Sequence, residues 1–438
     1  MAKWAFIASA FFLALVPVQV ARAYQFKDVY EFCQQELCAD GRNAVSGVVL
    51  DAAGNVYGAT QYGGDTTFTA SGHGVIYELI PNAKHTAWKY KQLYRFCKKA
   101  NCADGAEPLG TLIIDTAGNL YGTTRYAGAE KTGNVFELSP NAKHTRWRLR
   151  VLHQFCPNGT AGCTDGQLPE TALTYQGAAS GVPYDGQSPL YGTTVQGGAY
   201  INTERGVGNG TAFELSPLSG TRWKEKVIYN FCPDASCGTV LGRPSSALMP
   251  DASGNLYGTA AGAAGDLFKL SPNAHRTKWT ETTLHHFCSW TNCTDGDLPF
   301  AENLFEDAAG AIYGTTVEGG NPPDTAIGVI YKLVPNGTNS TYSVLYNFCS
   351  LANCADGAEP IAGVIMDASG NLLGTTGAGG DNGSGGTVFS YGSGSMHVLH
   401  TFCTPGCGDG EQPSAGLTIA PSGLAYGTTT TNVFALVP

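Results

Sequence analysis

Short runs of apolar and polar residues, separated by glycine-rich turns, extend along the chain from residue 24 to its end. The stretch 88–140 contains four such runs, which are Trp88–Phe96, Leu109–Asp115, Leu120–Thr124 and Val135–Leu138. Short runs bounded by Gly, Asn, Asp and Pro are typical of β-strands joined by tight turns. No helical periodicity interrupts this pattern after residue 23. The pattern therefore predicts an all-β fold.

The four-run unit recurs seven times, and the first cysteines of successive copies lie 54 to 76 residues apart. Seven repeats of four antiparallel strands predict a seven-bladed β-propeller. Small residues precede the run near Leu109, so we expect that strand innermost and the tryptophan-containing strand outermost. The lone strand Tyr24–Phe32 should complete the last blade beside 432–436, which closes the ring by N-terminal strand exchange. We therefore expect one propeller domain over residues 24–438.

Residues 1–23 have the features of a secretory signal peptide. Lys3 is followed by an apolar run from Trp4 to Val20, and Ala21-Arg22-Ala23 resembles a cleavage site. No later stretch reaches the ~18 apolar residues that a membrane-spanning helix needs. These features predict a secreted protein, periplasmic or extracellular, without a membrane span after signal cleavage.

The 14 cysteines form seven pairs that are close in sequence. Local pairing after a signal peptide predicts disulfides. Zinc is the alternative, but no histidine recurs at ligand spacing, and we expect no metal. The pairs are Cys33/Cys38, Cys97/Cys102, Cys156/Cys163, Cys232/Cys237, Cys288/Cys293, Cys349/Cys354 and Cys403/Cys407.

Charge narrows the range of partners. Charged residues make up 14% of the chain, with a formal net charge of −10. Phosphate binding needs basic surface, so we do not expect nucleic acid as a partner. No nucleotide-binding or hydrolase motif occurs, and we expect no cofactor. We expect a monomer that binds a glycan or an extracellular protein.

The motif L-x-x-D-x-x-G-N-L-Y-G-T-T, followed by a Gly-Gly loop and G-x-V-F-E-L-S-P, closely resembles the GloVer tandem-repeat family. Clear copies are Asp51–Pro81, Asp115–Pro140, Asp251–Pro272, Asp307–Pro335 and Asp367–Tyr391. Proteins of this family are secreted bacterial repeat proteins, often with a C-terminal surface anchor. The resemblance implies a propeller-like fold in an envelope or extracellular setting. It implies no particular activity, and the ending Val437-Pro438 lacks the anchor signal of other members.

Polar residues that recur in every unit are interpreted as structural. An Asp-Gly pair follows the cysteines in six units, and its Asp is expected to cap a turn rather than to form a calcium-binding ring. His153, His285 and His400 occupy a position that is Tyr elsewhere, which favours packing over catalysis. The six aspartates are Asp40, Asp104, Asp165, Asp295, Asp356 and Asp409.

Residues that break the repeat are the better functional candidates. The cysteine loops should share a propeller face with long, variable loops, whereas short, nearly identical turns occupy the other face. We expect binding on the cysteine face, by Tyr200, Asn202, Glu204, Arg205, Arg125, His73 and Asp381. An alternative is a polysaccharide lyase or glycoside hydrolase that uses Glu170 and Glu302, although nothing in their spacing requires them to meet. A third interpretation is a structural envelope repeat protein.

Overall fold

Seven four-stranded antiparallel sheets form a ring, so the chain folds as a seven-bladed β-propeller. The computed structural model describes residues 24–64, 72–128, 131–157, 159, 163–202, 207–219, 222–232, 242–262, 264–300, 302–321, 327–336, 339–381, 385–403 and 407–438. No helix in these residues is long and apolar enough to cross a membrane.

Each blade is described from the channel outward, in the order in which its strands pair. Blade 1 is β2 (Val49–Leu50), β3 (Val56–Thr60), β4 (Val75–Pro81) and β5 (Trp88–Arg95), and blade 2 is β6 (Ile113–Ile114), β7 (Leu120–Thr124), β8 (Asn134–Pro140) and β9 (Trp147–Gln154). Blade 3 is β10 (Thr174–Tyr175), β11 (Leu190–Thr194), β14 (Thr211–Pro217) and β15 (Trp223–Asn230), with the small hairpin β12 (Ile201–Asn202) and β13 (Val207–Gly208).

Blades 4 to 6 follow the same order. Blade 4 is β16 (Met249–Pro250), β17 (Leu256–Ala260), β18 (Asp266–Pro272) and β19 (Trp279–His286). Blade 5 is β20 (Phe305–Glu306), β21 (Ile312–Thr316), β22 (Val329–Asn336) and β23 (Asn339–Asn347), and blade 6 is β24 (Ile365–Met366), β25 (Leu372–Thr376), β26 (Thr387–Gly392) and β27 (Ser395–Thr401).

Both ends of the chain contribute to blade 7. It consists of β28 (Thr418–Ile419), β29 (Ala425–Thr428), β30 (Asn432–Val437) and, outermost, β1 (Gln25–Glu31). The two terminal strands pair antiparallel, with Gln25 opposite Val437 and Glu31 opposite Asn432. The side-chain amide of Asn432 also donates to Asp28 Oδ1 at 3.0 Å.

The inner strands are shorter than the sequence pattern predicts. The run Leu109–Asp115 yields only β6, because Gly110 and Thr111 contact the neighbouring blades instead of pairing with β7. The Gly47 amide donates to Thr111 Oγ1 at 2.8 Å, and a Cβ at Gly110 would lie 2.6 Å from the Thr171 carbonyl oxygen. The small residues are therefore required where blades converge.

Aromatic residues join neighbouring blades at two radial positions. Outer-strand tryptophans lie beside the Tyr of the Tyr-Gly-Thr strand in the preceding blade; Trp147 and Tyr57 have ring centroids 6.4 Å apart. The Phe before the first cysteine of each pair contacts an aromatic ring of the next blade, as in the edge-on pair Phe96 and Phe136 at 5.3 Å. Aromatic residues that recur in the repeat therefore form the contacts between neighbouring blades.

The cysteine loops contain six disulfides in the described residues; the seventh expected pair includes Cys237, which lies outside them. Asp104 shows how each loop is fixed: it accepts from the amides of Lys98 and Lys99 at 3.0 Å and from the Tyr94 hydroxyl at 2.7 Å. His400 takes the Tyr position in blade 6, with Nε2 2.9 Å from Asp409 Oδ2. Single 3₁₀ turns occur at Glu36–Cys38, Ala100–Cys102, Ala178–Ser180, Thr291–Cys293 and Ala352–Cys354.

Candidate functional site

At the channel mouth on the cysteine side, each blade contributes one side chain from an equivalent backbone position. In each blade the chain turns towards the channel through a residue with left-handed φ, such as Arg243 at 51°. The residue two positions later lines a cavity of about 590 Å³. These seven residues are Val45, Leu109, Glu170, Ser245, Phe300, Ile361 and Ser414. The same scaffold therefore presents seven side chains of mixed character: three aliphatic, two serines, one glutamate and one phenylalanine.

This cavity lies on the face predicted to carry function. The cysteine loops bond the loops between the second and third strands, as the Gly64 amide does to the Cys38 carbonyl at 3.1 Å and the Gly198 amide to the Cys163 carbonyl at 2.7 Å. Val195, which begins one of those loops, also lines the cavity. We call this side the cysteine face.

Three charged side chains from consecutive blades line one side of the cavity. Arg125 follows β7 in blade 2, Glu170 precedes β10 in blade 3, and Arg243 precedes β16 in blade 4. Arg125 Nε lies 2.9 Å from Glu170 Oε1. Burial raises the pKa of Glu170, whereas the positive charges of Arg125 and Arg243 oppose that rise. We call Arg125, Glu170 and Arg243 the charged row.

Glu302 forms the floor of the cavity. Its Oε1 accepts from Thr111 Oγ1 at 2.6 Å in blade 2, and its Oε2 accepts from the Gly416 amide at 2.9 Å in blade 7. Although part of the residue borders open space, enclosure of the carboxyl group among protein atoms raises its pKa. The Glu302 side chain of blade 5 therefore contacts blades 2 and 7.

An extra residue places Glu302 there. In six blades three residues separate the Pro or Ala at the channel mouth from the apolar residue that leads the inner strand, as between Pro244 and Leu248. In blade 5 four residues separate Pro299 from Leu304. The Glu302 carbonyl still accepts from the Ala247 amide at 2.8 Å. The insertion therefore projects the side chain without breaking the contact with blade 4.

A second cavity of about 250 Å³ lies on the other side of Glu302, which borders both cavities. Its walls include Met249, Pro250, Phe305 and Ala179. Ala179 belongs to a long connection between β10 and β11, so the turns of this face are less uniform than the sequence indicated.

The long β10–β11 connection contacts both neighbouring blades. The Tyr184 carbonyl accepts from the Thr116 amide at 3.1 Å in blade 2, and the Tyr184 ring packs edge-on to Tyr121 at 5.2 Å. The side-chain amide of Gln176 donates to the Asp251 carbonyl of blade 4. This connection is a brace between blades 2 and 4.

The predicted site residues occupy several places. Arg125, Glu170 and Glu302 line the one large cavity described above, although the two glutamates come from blades two apart. Tyr200 is 45% exposed next to the β12–β13 hairpin that contains Asn202. Glu204 and Arg205 lie outside the described residues. Asp381 is exposed on another loop, and the backbone amide of His73 donates to Gly63 at 3.1 Å.

Three further candidates were not predicted. Arg243 and Phe300 line the large cavity, and Trp290 is 47% exposed on the Cys288–Cys293 loop. Each differs from the residues at the same position in other blades, and that difference is the signal in the sequence. Without the ring geometry, nothing in the sequence shows which of the many differences face the channel.

Comparison with solved structures gives propellers at low sequence identity. The extracellular domain of a hybrid two-component system from B. thetaiotaomicron is similar, with a TM-score of 0.52 and 14% identity over 94% of this chain and 41% of that one. Streptogramin B lyase gives a TM-score of 0.53 and 12% identity over 94% of this chain and 97% of that one. The WD40 β-propeller domain of Doa1 gives 0.50 and 9%, over 94% and 96%. At these identities the likeness shows the fold alone.

Sequence comparison identifies the family. No curated protein sequence matches the chain. The family described as the Gloeobacter/Verrucomicrobia repeat matches residues 18–188 and 180–434, which together span nearly the whole chain. The motif copies quoted above lie within these two segments. The chain therefore belongs to the Gloeobacter/Verrucomicrobia repeat family.

Proposed function

We propose that this protein is an extracellular binding module that holds a glycan in the large cavity of the cysteine face. The observation that carries the proposal is the charged row, Arg125, Glu170 and Arg243, in the same cavity as the aromatic ring of Phe300. The large cavity has a volume of about 590 Å³, which falls within the ~300–1,000 Å³ typical of small-molecule sites.

The chemistry of the cavity suits a sugar ring. Planar carboxylate and guanidinium groups bind pairs of neighbouring hydroxyls with charge-assisted hydrogen bonds. Phe300 and the aliphatic side chains of Leu109 and Ile361 offer apolar surface for the C–H face of the ring. The cavity carries two positive charges and two glutamates, so a neutral sugar matches it better than a strongly anionic one.

The proposed setting is the periplasm or the exterior of the cell. Six disulfides in the described residues are consistent with an oxidising compartment. Export would depend on the signal peptide proposed for residues 1–23. An extracellular protein partner is the competing class of ligand, but a flat protein surface would leave a concave cavity of about 590 Å³ unfilled.

A glycoside hydrolase or lyase remains the second candidate, because Glu170 and Glu302 line the same cavity. The contacts of Glu170 and Glu302 favour a role in binding over a role in catalysis. Both oxygens of Glu302 already accept hydrogen bonds from other blades, and Glu170 is ion-paired with Arg125. A general acid must donate a proton to the substrate, whereas the Arg125 guanidinium favours the ionised form of Glu170 and both oxygens of Glu302 are bonded to other blades.

A glycan array tests the proposal. We expect purified protein to retain neutral oligosaccharides, and chromatography after long incubation to recover them uncleaved. Cleavage products would establish the enzyme instead. If no glycan is retained, the glycan proposal fails, and a protein partner or a structural role takes its place.

A further inference from the structure

We propose that the glycan binds end-on, with its terminal sugar in the large cavity and the following sugars over blade 5 towards Trp290. This inference rests on the proposed function and names the mode of recognition: a linear, neutral oligosaccharide held by its end. Two observations carry it, the closed floor of the cavity and an unusual strip of residues on blade 5.

The floor prevents a chain from threading through the propeller. Glu302 spans the channel between blade 5 and the Thr111 hydroxyl, and it is bonded to Gly416 as well. Gly47 and Thr111 also approach each other closely there, since the Gly47 amide donates to the Thr111 hydroxyl at 2.8 Å. A polymer that enters from the cysteine face therefore has to present one end and leave by the same opening.

Trp290 offers a rigid aromatic surface at the rim. Its amide donates to Asp295 Oδ1 at 3.2 Å, and its ring meets Tyr342 of β23 edge-on at 5.9 Å. Because Tyr342 lies on the outermost strand of blade 5, Trp290 marks the outer end of a loop that reaches the channel at Phe300. Trp290 is 47% and Phe300 43% exposed. Aromatic side chains therefore stand at both ends of this radial segment.

Two carboxylates lie between these aromatic residues. Asp297 and Glu318 pair through their backbones, with N–O distances of 2.8 and 3.1 Å. The Glu318 side chain is exposed, and burial followed by the nearby charge of Glu318 raises the pKa of Asp297. In blade 2 the paired positions are Ala106 and Tyr126, and in blade 6 they are Ala358 and Ala378. Acceptors flanked by aromatic surface suit sugar hydroxyls and disfavour uronic acids.

Within the residues that the structure describes, the other blades lack this combination. Leu351 occupies the position of Trp290 in the next cysteine loop, two residues after Cys349, and it is 56% exposed. A leucine offers apolar area without a planar ring. Leu351→Ala is therefore a matched control for Trp290→Ala, because both remove an exposed side chain from an equivalent loop.

The test uses a length series of an oligosaccharide that the wild type binds on the array. We expect Trp290→Ala to weaken binding of the longer members about three- to tenfold and to leave the shortest member unchanged. Leu351→Ala should change neither. A cyclic oligosaccharide of the same sugar has no end, so we expect it not to bind.

Failure of the inference and failure of the proposed function are distinguishable. If Trp290→Ala has no effect, or weakens all lengths equally, or if the cyclic sugar binds as well as the linear one, end-on recognition over blade 5 is wrong. Those results leave cavity binding intact as long as Arg243→Gln still weakens retention tenfold or more. If Arg243→Gln binds like the wild type, the proposed cavity site fails first.

Discussion

The hydroxyl of Thr111 donates a hydrogen bond of 2.6 Å to Glu302 Oε1, although the two residues are 191 positions apart in the chain. This contact joins blade 2 to blade 5 across the channel, although these two blades are not neighbours in the ring. The Gly416 amide adds blade 7 to the same carboxylate. One glutamate therefore links blades 2, 5 and 7 and separates the two cavities.

Replacement of Glu302 by Ala should lower the free energy of unfolding by about 2–3 kcal/mol, because two hydrogen bonds to other blades are lost and their donors remain enclosed. Thr111→Val keeps the side-chain shape but removes the hydroxyl that bonds Glu302 and the Gly47 amide, so it should also lower stability, and the double variant should be non-additive. Denaturant unfolding measures both. Glu36→Ala, at an exposed position, is the control. Equal stability of Glu302→Ala and the wild type would contradict this role.

The architecture could be predicted from the sequence because a propeller repeats its constraints. Seven copies of the Phe-Cys and Tyr-Gly-Thr patterns indicate seven blades, and the tryptophans identify the outer strands. The inner strands were less predictable: the run Leu109–Asp115 has the pattern of one strand, but Gly110 and Thr111 contact other blades. The length of the inner strands depends on how closely the blades converge at the channel. A local sequence pattern contains no information on that.

Deletion of residues 24–32 tests the pairing of the chain ends. The strand β1 buries Val29 and precedes buried Phe32, and each buried apolar side chain of this size contributes about 1.5–3 kcal/mol. We expect the deletion to lower stability by about 3 kcal/mol or more. Removal of Pro438 alone is the control. A melting temperature equal to that of the control would show that β1 does not hold the ring closed.

Glu225 should make stability depend on pH. It lies on β15 where blades 1 and 5 carry Tyr90 and Tyr342, whose hydroxyls donate to the carbonyls of Asp40 and Asp295. Burial, and then the charge of Asp165, raise the pKa of Glu225 from 4.5 to about 8. Its Oε1 has no hydrogen-bond partner in the described part of the chain.

A raised pKa means that the folded state binds the proton more tightly than the unfolded state does. Stability should therefore fall as the pH rises from about 4.5 to about 8 and level off beyond that range. Relative to Glu225→Gln, we expect the wild type to lose about 1–3 kcal/mol across this interval, a part of the full linkage because the side chain is only partly buried. Parallel pH profiles of the two proteins would refute the assignment.

The candidate site was only partly predictable. Arg125, Glu170 and Glu302 stand out in the sequence because they break the repeat, yet their shared cavity depends on the curvature of the ring. Arg243 and Phe300 were missed because their neighbours in sequence are ordinary loop residues. The extra residue before Leu304 is visible when the seven units are aligned, but its consequence, a side chain across the channel, appears only in three dimensions.

The most direct test of the proposed cavity is a calorimetric titration of an array-selected oligosaccharide against the wild type, Arg243→Gln and Arg148→Gln. Gln412 occupies the position of Arg243 in blade 7 with the same left-handed φ, so glutamine fits there. Arg148 is exposed on the outer strand β9 and serves as the matched control. We predict that Arg243→Gln raises Kd tenfold or more and that Arg148→Gln leaves it unchanged. Equal Kd values for all three proteins would contradict the account.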